Sequence, residues 1–529
     1  MTFCIYLYMY QNSYFMEWSI LDIVDVEITI KLNYSSFNMI FIFTVLSVFA
    51  SVYHYSMEYM MNSFEVKQFF IIMMTFVLSM LILICSGNMF TTLIGWDGLG
   101  ITSMLLIMYY YSNNSLKASM YTFMINRLGD CFLLILICTL FCNFPDLSLF
   151  EKNLDIPFLV SFLIMTMAIT KSAQIPFSSW LTKAMEAPTP VSSLVHSSTL
   201  VTAGIYVLFI YQELWKNNQM MVYTLLILSI STMIMASLMG LIEVDLKKIV
   251  AYSTLSQLGF IMFTFSIFLF EQGFFHLIMH AFFKALMFMS VGYVIHNSSG
   301  WQDIRMLTLN YSCSPDITKI FLIAGMSLCG MPFLSGFYSK DYIVDSLMMK
   351  DSSFFLMFLV FISFLLTLMY YTRMCWYVMS SMKNTFIKSS NMTMSMIYLL
   401  IFSCVMGSVI QWTMLPGFSA VNSSKITLIA IFTIVSVIYW LINLVKKTNF
   451  FLKTNLYLFV LVSLIVSWIM NLMTNLYWSL DLLNLLGKMV KTDNFFSKLK
   501  ESFNEITFFM CFKELMFFGF FSMLFYVML

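Results

Sequence analysis

The chain has 529 residues, is 60% hydrophobic and only 10% charged, and carries a net charge of +1 with a mean hydropathy of +0.87. No soluble domain of this size has that composition, and the near-neutral charge excludes a nucleic-acid-binding role. The class is an all-α polytopic membrane protein.

In chain order, residues 1–35 come first. They are aromatic and uncharged at the start, lack a small-residue cleavage site, and then carry Glu17, Asp22, Asp25, Glu27 and Lys31. They read as a short, truncated N-terminal segment. Apolar runs of about 17–25 residues then follow almost without pause. They fall at 36–56, 68–86, 88–111, 117–142, 157–185, 189–211, 220–241, 246–269, 273–296, 316–346, 353–378, 393–412, 425–446 and 510–528. That is about fourteen spans, with connections too short for a soluble catalytic domain. Between 465 and 508, Lys and Glu interleave with apolar residues at helical spacing. That stretch is too charged to span and should lie along the membrane or a partner, ahead of an anchor helix at 510–529.

Pro176 and Pro332 fall inside long apolar segments, where proline removes a backbone hydrogen bond and breaks the helix. Each has a lysine nearby, Lys171 or Lys340, and paired broken helices point to a repeated transporter architecture or to two unrelated kinks. The ten Cys are scattered, and no second pair completes a metal site with Cys138 and Cys142. The 49 Met and 56 Phe exceed what membrane packing requires and fit the codon bias of an AT-rich mitochondrial genome.

Charge inside a span is expensive, about 3 kcal/mol at the bilayer centre on insertion scales, so its position is informative. His276, His280 and Lys284 stand at i, i+4 and i+8 on one helix face, which suits a polar path for protons. A metal site there would lack a carboxylate ligand. Asp97, in GWDGLG, needs a cation to stay ionised, and Lys171 is the expected partner, as a switching pair or a static one. Arg127 and Asp130, at i and i+3, can pair with each other at a helix end or support the path. His196 opens a Ser/Thr-rich helix able to hold water, or is a satisfied core histidine. Lys340, with Asp341 beside it, is either the last proton site before the aqueous phase or an interfacial lysine.

Seven stretches carry a family resemblance: GWDGLG at 95–100, NRLGD at 126–130, KSAQIP at 171–176, AMEAPTPVSSLVHSSTLVTAG at 184–204, DLKKIVAYSTLSQLG at 245–259, HLIMHAFFKALMFM at 276–289 and GMPFLSGFYSKD at 330–341. Together they closely resemble the subunit 5 family of NADH dehydrogenase (ubiquinone), the antiporter-like, Mrp-type membrane subunits of mitochondrial respiratory complex I. The resemblance implies two inverted five-helix repeats with Pro-broken helices, over 68–211 and 220–378. A first helix and loop at 36–67, additional helices at 393–446, a lateral helix at 465–508 and the anchor at 510–529 complete the plan. It implies a proton path through Asp97, Lys171, His196, His276, His280, Lys284, Lys340 and Asp341, with Arg127 and Asp130 in support and breaks at Pro176 and Pro332. It implies no cofactor in this chain; FMN, iron–sulfur clusters and ubiquinone belong to other subunits of such a complex. Partners would be other membrane-arm subunits and lipids, cardiolipin among them, in the mitochondrial inner membrane. Two positions depart from the family pattern. Asp97 is one methylene shorter than the usual Glu, and Thr170 replaces a common Gly. Two other readings compete: a subunit of a sodium/proton antiporter complex, and a non-conducting membrane scaffold.

Overall fold

The structure is a computed structural model that describes residues 14–23, 26–61, 63, 65–143, 158–298, 300–306, 315–331, 334–349, 354–380 and 391–414. The expected span at 425–446, the lateral helix at 465–508, the anchor at 510–529 and Pro332 lie outside the described residues.

The apolar runs become helices close to where the hydropathy places them. In order they are α1 (Ser36–Tyr59), α2 (Val66–Cys85), α3 (Met89–Ile107), α4 (Asn113–Asn143), α5 (Phe158–Lys171), α6 (Ser179–Lys183), α7 (Thr189–Val195), α8 (Leu200–Ile210), α9 (Gln219–Ile242), α10 (Leu246–Ser266), α11 (Phe270–Asn297), α12 (Pro315–Cys329), α13 (Ser335–Met349), α14 (Phe354–Ser380) and α15 (Asn391–Met414). Among the described residues, 10 helical segments are long and apolar enough to cross a membrane. A multi-pass helical membrane protein is the consequence, because only closed hydrogen bonding lets a backbone cross lipid.

Burial grades from centre to edge. The central window of α11 is wholly buried, and α10 and the α7–α8 segment nearly so, whereas only a third of the α14 and α15 windows is buried. The helix carrying His276, His280 and Lys284 is therefore the most deeply buried of the candidate spans.

Three apolar segments are interrupted rather than continuous. The break between α5 and α6 contains Pro176, as the sequence suggests. The break between α12 and α13 begins at Gly330, whose φ of +82° suits glycine. There the Met331 N–H reaches the Met326 carbonyl and the Gly330 N–H the Ser327 carbonyl, the paired bonds that end a helix at a left-handed residue. The third break, at His196–Thr199, is not expected from the sequence, which reads 189–211 as one helix. The cause is local competition by hydroxyls: Ser197 donates to the Ser193 carbonyl and Thr199 to the Leu194 carbonyl, drawing the backbone out of its ladder.

One feature departs from an all-helical build. Tyr14–Ile23 (β1) and Val26–Tyr34 (β2) form an antiparallel hairpin with a bulge between Ser19 and Leu21. It is fixed to the helix ends by the Gly87 N–H on the Lys31 carbonyl and the Asn88 amide on the Thr29 carbonyl. The alternation in VEITIKL signals this strand.

The helix ends separate the charges. Lys67, Lys117, Lys247, Lys248, Arg305 and Arg373 gather at the end where α10 starts and α11 finishes, while Lys31 and Lys216 lie at the opposite end.

Candidate functional site

The first cluster joins α3, α4 and the end of α5. Lys171 is fully buried; its Nζ donates to the Trp96 carbonyl at 2.6 Å and lies 3.9 Å from the Trp96 ring centroid. The expected contact with Asp97 gives way to a different pairing. Asp97 reaches Arg127 at 3.6 Å, and Arg127 also holds Asp130 at 3.1 Å. Of the two acids, buried Asp130 acts more strongly than Asp97 on the Lys171 charge. The reason is geometric: the short Asp97 side chain is over a third exposed, and the longer guanidinium bridges to it, while Asp130 points inward. Thr170 also finds its explanation. A Cβ on Gly129 would collide with the Thr170 hydroxyl, so the glycine of NRLGD makes room for the threonine that precedes the lysine.

Lys171 stands in the last turn of α5, where the helix dipole favours a cation. Beyond it, Trp180 donates its indole N–H to the Thr170 carbonyl at 2.9 Å, and its ring lies 6.3 Å from that of His196. His196 caps α7 at the unexpected break; it is fully buried, and among the described residues neither ring nitrogen has a hydrogen-bond partner. His280 is in the same condition and lies beside the Ser197 backbone, which the break has freed.

On α11, His276 is held from both flanks. Its Nδ1 meets Ser339 Oγ of α13 at 2.8 Å and its Nε2 meets Gln257 Oε1 of α10 at 3.2 Å. Lys284 Nζ donates to Ser253 Oγ at 2.5 Å. Lys340, on α13, reaches back across the break to the Leu328 carbonyl and faces the Phe364 ring. It is 3% exposed, which does not suit an interfacial lysine. Asp341 lies within electrostatic reach of it. Lys171 and Lys340 therefore both sit at the carbonyl end of a broken half-helix, one in the chain's own last turn and one returning to it.

Ser253, Gln257, Ser339 and Trp96 escaped the sequence reading. Ser253 and Gln257 carried a usable signal: two polar residues at i, i+4 in an apolar segment, the same spacing as the groups they hold. No cluster of metal-ligating residues occurs among the described residues.

A multi-pass protein with a buried row of cations and imidazoles between broken helices is the architecture of a charge-translocating membrane subunit. The sequence profile of the family described as NADH:quinone oxidoreductase/Mrp antiporter, TM, matches residues 86–367. The NADH-ubiquinone oxidoreductase chain 5 of Aedes aegypti is 41% identical over 413 residues, covering 76% of this chain and 71% of that one. That of Locusta migratoria is 42% identical, covering 72% and 68%. A structure of the Mrp complex from Dietzia sp. aligns with a TM-score of 0.69 at 20% identity, over 96% of this chain and 58% of that one, and so shares the fold. The chain belongs to the NADH-ubiquinone oxidoreductase chain 5 family, within the NADH:quinone oxidoreductase/Mrp antiporter class.

Proposed function

We propose that this chain is a core membrane-arm subunit of a proton-pumping NADH:ubiquinone oxidoreductase, and that it moves protons by way of Lys171, His196, His276, His280, Lys284 and Lys340. The observation that carries the reading is the burial of all these groups inside a multi-pass protein. Ionisable groups are costly in a membrane interior and persist where they serve a path. His196 and His280, buried without protein partners, are the positions at which bridging water would complete the row.

Arg127, Asp97 and Asp130 form a switchable charge cluster at one end. Swinging Arg127 between its two acids would change the field at Lys171 without moving the lysine. The energy needed is about 2.3 kcal/mol per proton per 100 mV, within reach of rearranging one buried pair. Asp341 modulates Lys340 in the same way. The helix breaks around Pro176 and Pro332 belong to two repeats, 68–211 and 220–378, each supplying one of the lysines that lie against a half-helix carbonyl end.

The redox groups of the reaction (FMN, iron–sulfur clusters and ubiquinone) would reside in other subunits, and the coupling would reach this chain through neighbouring antiporter-like subunits. Cardiolipin would be among the lipids around it, and the mitochondrial inner membrane is the location. The basic end of the helices faces the matrix, as positively charged loops do.

The test is Lys284→Met in the intact complex, with proton translocation followed by a pH-sensitive dye in sealed vesicles. Translocation should fall roughly tenfold or more while the chain stays assembled. Unchanged translocation would sink the reading, and a strict sodium requirement would turn it to sodium/proton exchange.

A further inference from the structure

Tyr370 lies on α14, fully buried, with its ring against the backbone of Gly240 near the end of α9. Gly240 also lies against Tyr252, the neighbour of Ser253, so the Tyr370 hydroxyl comes near Ser256 and Ser253 of α10, yet among the described residues it makes no hydrogen bond of normal geometry. Ser253 is the residue that holds Lys284, and its own hydroxyl donates to the Val250 carbonyl at 2.6 Å. Ser256 donates to the Ser253 carbonyl at 3.0 Å. Both serine hydrogens are committed, so only lone pairs are left to face the tyrosine, and a phenol O–H is the donor they lack. Phenylalanine would fill the same space with no polar atom to satisfy, so the hydroxyl is costly unless it serves the network.

Position adds direction. One turn further along α14, Arg373 donates to the Gly240, Leu241 and Glu243 carbonyls at the basic end. Tyr370 therefore lies between Lys284 and that end. We propose that Tyr370 is a positioning residue that ties Lys284, through Ser253, to the basic end of the molecule and opens that side of the path to protons. The inference rests on the proton-translocating reading. The other titratable groups acting on Lys284 are Lys340 and Cys329 from the α12–α13 unit and, on its own helix, His280 and His276; Cys329 also acts on Tyr370.

The experiment compares Tyr370→Phe with Tyr371→Phe in the intact complex in vesicles, with rates expressed per assembled complex so that altered assembly does not count. Tyr371 is the control: equally aromatic and buried, its hydroxyl donates elsewhere, to the Leu322 carbonyl at 2.8 Å. Tyr370→Phe should slow translocation roughly threefold or more and shift its pH profile, while Tyr371→Phe leaves both as in the parent. Parent-like translocation and pH profile in Tyr370→Phe would overturn the inference. Lys284→Met separates the two claims. If it abolishes translocation while Tyr370→Phe does not alter it, this inference alone falls; if Lys284→Met itself is silent, the functional reading falls with it.

Discussion

Lys171 illustrates how a residue's neighbours are set by reach as much as by charge. An amine at the end of a helix found a carbonyl and an indole face before it found a carboxylate, and the acids were tied up by an arginine. A second acid pair lies outside the spans, at the basic end, where Asp245 and Asp303 meet across a short bridge. Burial opposes charge on Asp245, but hydrogen bonds from Lys248 and Asp303 outweigh it and hold the carboxyl below the usual range. The hydrogen bond to Asp245 raises Asp303 from 3.8. Their linkage has opposite signs. Asp303 contributes stability that is complete below its unfolded pKa and is lost as pH rises through its raised value. Asp245 contributes stability present above its unfolded pKa and lost as pH falls through its lowered value. Asp303→Asn keeps a donor toward Asp245 at every pH. Its thermal stability should exceed the parent's at neutral pH and converge with it as pH approaches about 4, where the parent's Asp303 also carries a proton. Identical melting curves across that range would remove the shared proton from the account.

At the scale of elements, breaks and close approaches position the site. The α5, α7 and α12 ends each stop one or more polar groups in mid-membrane, and each uses a different local cause: a proline-containing loop, hydroxyl competition, and a left-handed glycine. The approach of α4 to α5 depends on Gly129 making room for Thr170. Gly129→Ala should cost about 1–3 kcal/mol through overpacking and displace Lys171. Adding Thr170→Ala, which removes the colliding hydroxyl, should restore most of that loss. Thermal stability of the single and double variants measures the coupling, and additive losses would show that the contact is not limiting.

At the scale of the whole molecule, the uneven distribution of cations underlies the proposed orientation. Under that proposal, with Arg305 facing the matrix, a cysteine placed by Arg305→Cys should react with an impermeant maleimide only after the inner membrane is opened, whereas Lys216→Cys should react from outside. The reverse pattern would invert the proposed direction of the path. Cys131 and Cys138 are exposed along α4 and would be removed first.

Much of this protein was legible in one dimension. Apolar runs located the helical stretches between residues 36 and 412, though not the break at His196–Thr199, because a membrane span needs low polarity over a set length, and the His276–His280–Lys284 stripe followed from helical periodicity alone. The hairpin was readable in principle from its alternation. What tertiary structure decided was which charges meet. That Arg127 rather than Lys171 takes Asp97 and Asp130, that Lys340 is buried, and which serine receives Lys284 depend on distances between side chains brought together by packing. Local patterning determines what each helix presents, whereas side-chain reach across packed helices determines what it touches.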